Sequence, residues 1–285
     1  MKLGIFSPEV NAENIPELFE KIQGYGFSEV QFDFLSVCDE EMPEEIPDSM
    51  IESIRICAAK NNVDIVAVNG TFNMAHPDID IRINGLKRLQ TIIEASNKLS
   101  CKLITLCTGS RNRTNMWVPH QDNETLEAWR DMVLVMEQAL EIAEKYDVTL
   151  GLETEASNIV NTPAKARKLI DEMESSRLKV IMDCANLFRA GMAKKELVRP
   201  VIKEAFDLLG NDVVLAHGKD LLETPGIEFT GAGKGIIDFD YFFSELENIG
   251  YKDGFILHGI KQEKDIPFCV DYIIKKVALF QALEQ

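Results

Sequence analysis

The chain has 285 residues, with 30 Lys+Arg against 47 Asp+Glu, a formal net charge of −17 and a sequence pI near 4.7. A hydrophobic share of 46% and a mean hydropathy of −0.07 exclude disordered, collagen-like and low-complexity classes. A surface this acidic repels phosphate backbones and anionic lipid. Nucleic acid and membrane surfaces are therefore excluded as partners, and small neutral or metal-bridged ligands remain.

The N-terminus carries no apolar stretch of signal-peptide length, and no window reaches the ~18 apolar residues of a membrane span. A soluble, cytoplasmic protein is expected. The first apolar run, residues 2–7, leads to a helix opened by Asn14 and Pro16 and stopped by Gly24 and Gly26. Runs at 29–34 and 64–69 follow. Ile83, Leu86, Leu89 and Ile93 then share one helical face. After the run at 102–108, Asp122-Asn123-Glu124-Thr125 offers capping side chains to a helix with Trp129, Met132, Met136, Leu140 and Ala143 on one face. The run at 148–153 precedes Thr162-Pro163, an N-cap followed by proline at the first helical position. Runs at 179–183, 213–217 and 255–258 complete the series.

Most runs are apolar at both parities, as in Ile65-Val66-Ala67-Val68, which marks strands covered on both faces. Eight strand–helix units in a chain this long predict a single (β/α)8 barrel over residues 1–285, with a parallel eight-stranded core. An open doubly wound sheet would want a Gly-rich turn after the first strand, and Ser7-Pro8-Glu9-Val10-Asn11 offers none. The longest connections, 70–79, 109–123 and 218–238, are all strand-to-helix loops, the side on which a barrel builds its site. The six cysteines, at 38, 57, 101, 107, 184 and 269, form no C-x-x-C pair and read as buried thiols.

Four consecutive runs close on a titratable or metal-liganding side chain: Glu153, Asp183, His217 and His258. In a barrel these ends are neighbours on one rim. Two carboxylates and two imidazoles then face a common point, a mixed O/N set that suits a divalent ion such as Mn²⁺, Mg²⁺, Co²⁺ or Zn²⁺. Any one of them alone is as readily a helix cap or a solvated rim group. All 4 histidines, at 76, 120, 217 and 258, fall at or after a predicted strand end.

These residues also carry a resemblance. The chain resembles the xylose isomerase-like TIM-barrel family, the sugar phosphate isomerase/epimerase group. The matching stretches are Leu150-Gly151-Leu152-Glu153, Met182-Asp183-Cys184-Ala185-Asn186, Ala216-His217-Gly218-Lys219-Asp220, Gly233-Lys234-Gly235-Ile236-Ile237-Asp238 and Ile249-Gly250-Tyr251-Lys252-Asp253-Gly254. The resemblance implies that Glu153, Asp183 and His217 ligate one divalent metal. His258 stands where the family has a fourth ligand, Glu, and Asn186 replaces a family histidine. What the resemblance implies is a metal-dependent isomerase or epimerase of a sugar, sugar phosphate or polyol, in carbohydrate metabolism. It would remove a proton next to a carbonyl and pass through an enediolate. Three readings of His258 stand: a fourth ligand with Glu153 working alone as acid/base, a second catalytic acid/base beside a three-ligand site, or part of a site that only binds. An inosose-type dehydratase would use the same metal, and a non-catalytic ligand-binding barrel is the third class. A repair endonuclease on this barrel would need more histidines and a basic face. Barrels of this kind often pair up, so the resemblance leaves a homo-oligomer possible, and no residue of the sequence fixes the oligomeric state.

Further candidates for substrate binding lie on the same side. Asn69 ends the third run, and His76 follows in its loop. The fourth loop brings Arg111, Arg113, Trp117 and His120 to the rim, where they could close over a ligand. Asn186 and Lys219 follow two of the ligand positions, although Lys219 could equally pair with Asp220. Gln31, alternating with Asp33 on the second run, could face the mouth, and Glu155 and Asn158 could support Glu153. Gly231-Ala232-Gly233-Lys234-Gly235 has the look of a phosphate cradle but does not open a helix after a strand.

Overall fold

Short runs of β-branched and other apolar residues form nine strands in a computed structural model that describes residues 1–38 and 40–283. The strands are β1 (Leu3–Phe6), β2 (Glu29–Phe32), β3 (Asp64–Asn69), β4 (Leu103–Leu106), β5 (Thr149–Glu153), β6 (Leu178–Asp183), β7 (Val213–Leu221), β8 (Phe229–Gly231) and β9 (Phe255–Leu257). All but β8 pair in parallel around a closed ring, from β1 through β7 to β9, which returns to β1. The outer helices are α1 (Ile15–Gly24), α2 (Asp48–Lys60), α3 (Ile79–Lys98), α4 (Leu126–Tyr146), α5 (Pro163–Met173), α6 (Val198–Leu209), α7 (Phe239–Asn248) and α8 (Ile266–Leu283). This is the eight-stranded parallel barrel expected from the unit count.

The helix starts follow from side-chain caps. Asn14, Thr125 and Thr162 accept hydrogen bonds from the amides of Glu17, Ala128 and Lys165, each satisfying a first-turn donor that the helix leaves open. On α3 the apolar inward face comprises Leu86, Leu89, Ile92 and Ile93, whereas Ile83, expected inside, is exposed together with Ile79 and Ile81. Among the described residues no helix is long and apolar enough to cross a membrane.

The barrel lumen is plugged by Ala67, Ile181, Leu215 and Ile256, with Phe6, Val66, Leu103 and Val214 packed against them. Gly151 completes this layer because nothing larger fits: a Cβ there would lie 2.4 Å from Ile181 Cδ1. Side chains two apart on a strand share a face. The next lumen-facing positions, toward the C-terminal mouth, are therefore Asn69, Glu153, Asp183, His217 and His258. Register shifts at Val30/Gln31 and Val180/Ile181 mark β2 and β6, the strands that present Gln31 and Asp183 to the same mouth.

One strand exceeds its sequence reading. The seventh run, expected to end at 217, continues to Leu221, because its end pairs antiparallel with β8 through Lys219↔Gly231 and Leu221↔Phe229. Residues 218–221 contain no apolar run, so the extension depends on a partner strand that local pattern does not announce.

Candidate active site

Three donor groups meet at the mouth. One ligand atom from each of Asp183, His217 and His258 lies within 4.8 Å of the other two. Asp183 Oδ2, His217 Nδ1 and His258 Nδ1 are all buried without a hydrogen-bond partner. Unpartnered polar atoms this deep are costly, roughly 1–3 kcal/mol each, and three of them side by side fit the donor set of a cation better than an accident of packing. Glu153 stands beside the trio, with Oε2 3.5 Å from His217 Nδ1, but it is not one of the set that mutually converges. Asp183 Oδ2 is 3.7 Å from the same His217 nitrogen.

Each donor is held by a specific neighbour. Asp183 Oδ1 accepts from the amides of Ala185 and Asn186, at 2.8 and 3.1 Å, which leaves Oδ2 turned to the histidines. Asn186 Nδ2 donates a short hydrogen bond to Glu153 Oε1. His217 Nε2 lies 2.7 Å from Gln31 Oε1, and Gln31 Nε2 donates to Thr105 Oγ1 at 3.3 Å. An amide oxygen only accepts, so this contact places a proton on Nε2 and leaves Nδ1 as the nitrogen turned toward Asp183 and Glu153. The chain continues from Thr105 to Asn69 Oδ1, at 3.5 Å, and from Asn69 Nδ2 to Asp33 Oδ2, at 2.7 Å. His258 packs against Phe6, with ring centroids 4.7 Å apart, and sits edge-to-face with His217 at 71°.

Charge at the mouth is unevenly placed. Lys219 Nζ lies 3.6 Å from Asp183 Oδ2 and 4.1 Å from the centre of the Phe229 ring. Its stem crosses Gly259, where φ is +75° and a Cβ would come within 2.6 Å of Lys219 Cγ. Burial works to lower the Lys219 pKa, but Asp183, Glu153 and Glu155 outweigh it and hold the ammonium up at about 12. Burial likewise opposes the charged form of His217, and Glu153 and Asp183 bring it up to about 9. His258 goes the other way: burial, reinforced by Lys219 and His217, keeps its ring neutral. Desolvation pushes Asp33 up to about 7 and raises Glu155 and Glu41.

Above the trio opens a cavity of about 420 Å³. Glu153, Asn186, Lys219 and His258 line it, as do Asn69 and Trp117, so these six candidates gather in one place. Asp183 and His217 lie deeper, at 1% and 0% exposure. The remaining candidates are elsewhere. His76 is buried, its ring set between the Arg113 carbonyl and the Asp78 amide, where it braces the loop. Arg111 is buried and pairs with Asp131 on α4 at 2.7 Å, because an enclosed guanidinium needs a counter-charge. Arg113 and His120 line a separate groove with Pro77 and Asp122, and His120 Nδ1 accepts from the Asp122 amide as a turn cap. The expectation that these four reach a ligand at the mouth is therefore corrected.

Two alternatives left open by the sequence concern the seventh strand and its loop. The amides of Leu221, Gly233, Gly235 and Ile237 all donate to the Asp220 carboxylate, at 2.8 to 3.0 Å. The glycine loop that looks like a phosphate cradle is filled by the protein's own anion. Asp220 is thus committed to this loop, and Lys219 pairs with Asp183 instead. Thr105, Phe6, Phe229 and Glu41 belong to the cavity but were not singled out in the sequence. Thr105 had a signal: it breaks Leu103-Ile104-Thr105-Leu106 at the same lumen-facing level as Gln31 and Asn69.

The xylose isomerase-like TIM barrel family matches residues 19–271. Among solved structures, a D-tagatose 3-epimerase-like protein is similar with a TM-score of 0.79 and 18% identity, covering 100% of both chains. The apo form of 3-keto-D-glucoside 4-epimerase, YcjR, from E. coli gives 0.72 and 18%, covering 96% of this chain and 99% of that one. An IOLI protein with a binding zinc atom gives 0.73 and 17%, covering 98% of each. No curated protein matches the sequence. At these identities the structural likeness concerns the fold, whereas the family match spans most of the barrel. The chain belongs to the xylose isomerase-like TIM barrel family.

Proposed function

We propose that the chain is a divalent-metal-dependent isomerase or epimerase of an unphosphorylated sugar or polyol, working by proton removal next to a carbonyl through an enediolate. The observation that carries this reading is the convergence of three unpartnered donors, Asp183, His217 and His258, at the floor of a cavity that Glu153 also lines. The epimerases among the similar structures support the same class.

A divalent ion held by these three side chains would polarise adjacent carbonyl and hydroxyl oxygens. Glu153 is the proton carrier: Asn186 fixes one of its oxygens, and the carboxylate faces the cavity beside the trio. Lys219 keeps its charge and reaches the cavity, where it holds the oxygen on which negative charge develops. Phe6, Trp117 and Phe229 supply apolar wall that covers the ligand and excludes water.

The absence of phosphate in the proposed substrate follows from charge. Asp33, Glu41, Glu153 and Glu155 line the cavity with Lys219 as its basic member, itself beside Asp183. Arg111 is paired with Asp131, and the amides of the glycine loop are taken by Asp220. A phosphate dianion would meet repulsion and no dedicated donor set.

Solvent-deuterium exchange tests the reading. The metal-loaded protein is incubated in D2O with unphosphorylated ketoses and inososes and with their phosphate esters. Deuterium should enter at the carbon next to the carbonyl of at least one unphosphorylated compound, and Glu153→Gln should abolish it. Exchange with no compound would overturn the catalytic reading. Exchange confined to phosphate esters would overturn the substrate class.

A further inference from the structure

Resting on that metal-site reading, we propose that His258 sets the identity of the ion, making this a site for a nitrogen-seeking divalent metal such as zinc or cobalt(II) and a poor one for magnesium, manganese or calcium.

The converging trio offers two imidazoles and one carboxylate. Magnesium and calcium take oxygen donors almost exclusively, and their binding grows with the number of carboxylates. Imidazole suits zinc and the later first-row ions. The local charge points the same way. Asp183 is the anion of the trio, and the Lys219 ammonium 3.6 Å from its free oxygen offsets part of that charge. A hard ion bound by electrostatics loses most from such an arrangement, whereas an ion bound through nitrogen lone pairs loses less.

Both rings are held in place by their neighbours. His217 has a proton fixed on Nε2 by Gln31, and Gln31 is in turn tied to Thr105. His258 is clamped between Phe6 and His217. Because His258 also lines the cavity, an ion held by it would be within reach of a ligand in that cavity.

The test is metal competition on the full-length protein, stripped of metal and titrated with zinc, cobalt(II), manganese and magnesium against a chromophoric chelator. Wild type, His258→Glu and His258→Gln are compared, and folding is checked by circular dichroism. Wild type should bind one zinc or cobalt(II) per chain far more tightly than manganese or magnesium. His258→Glu should narrow the zinc-to-manganese ratio by at least roughly tenfold, the scale on which even a hydrogen-bonding partner of a ligand changes metal affinity. Cobalt(II) bound to wild type should show visible absorption that changes in both variants, because a nitrogen ligand is lost. An unchanged ratio and unchanged cobalt spectrum in folded variants would overturn the role of His258 and leave the metal site standing. Failure of wild type to bind any of the four ions would overturn the site itself.

Discussion

The floor of the barrel and the layer above it are built by the same strands, two residues apart, and they have opposite characters. Ala67, Gly151, Ile181, Leu215 and Ile256 close the lumen with apolar contacts. Asn69, Glu153, Asp183, His217 and His258 follow them on the same face and carry amide, carboxylate and imidazole groups, three of them with orphaned atoms. A dry, close-packed floor holds strand ends rigid enough to keep costly groups facing one another. The alternation of a strand does the placing, and the floor pins it.

Substitutions in the upper layer should act on chemistry, and those in the floor on stability. The largest expected effect is Glu153→Gln, which should lower kcat by roughly 10²- to 10⁴-fold while leaving bound metal in place, read by deuterium exchange together with elemental analysis. Retained exchange in this variant would move the proton-carrying role elsewhere. Next, Ile181→Ala should destabilise the fold by roughly 2–5 kcal/mol in denaturant titration. The metal content of the folded variant should be unaltered, and loss of metal there would show that floor and mouth are not separable. Gln31→Leu, which removes the acceptor for His217 Nε2, should weaken metal binding by roughly 10- to 100-fold with little change in folding. An equal affinity would mean that the ring needs no such support.

A smaller effect concerns pH. Burial pushes Asp33 up to about 7 from an ordinary 3.8, against the pull of the Leu35 amide and Asn69. Within that window the folded state keeps a proton that the unfolded chain has lost. The contribution to stability therefore falls as pH rises, by at most about 1.4 kcal/mol per pH unit. Asp33→Asn should flatten that fall when unfolding free energies are compared at pH 5 and pH 8. A wild type and variant with parallel profiles would show that Asp33 titrates normally.

The barrel and the four strand-end residues were legible because both depend on short-range pattern: apolar runs of strand length, stopped by Glu153, Asp183, His217 and His258. The helix caps at Asn14, Thr125 and Thr162 were legible for the same reason. The fourth loop was not. Arg111, Arg113 and His120 are spaced as readily for a ligand as for support, and the choice is made by Asp131 on α4 and by the Asp122 amide. The course of the chain after His217 was also hidden, since Lys219 and Asp220 gain their partners from β8, the glycine loop and Asp183. Gln31 could be suspected from alternation, but its bond to His217 joins residues 186 positions apart.

The central claim is that Asp183, His217 and His258 share one cation, and metal analysis reads it most directly. Wild type dialysed against equimolar divalent ions and then desalted should retain about one ion per chain, and folded Asp183→Ala should retain almost none. Equal metal content in the two proteins, or none in either, would contradict the account.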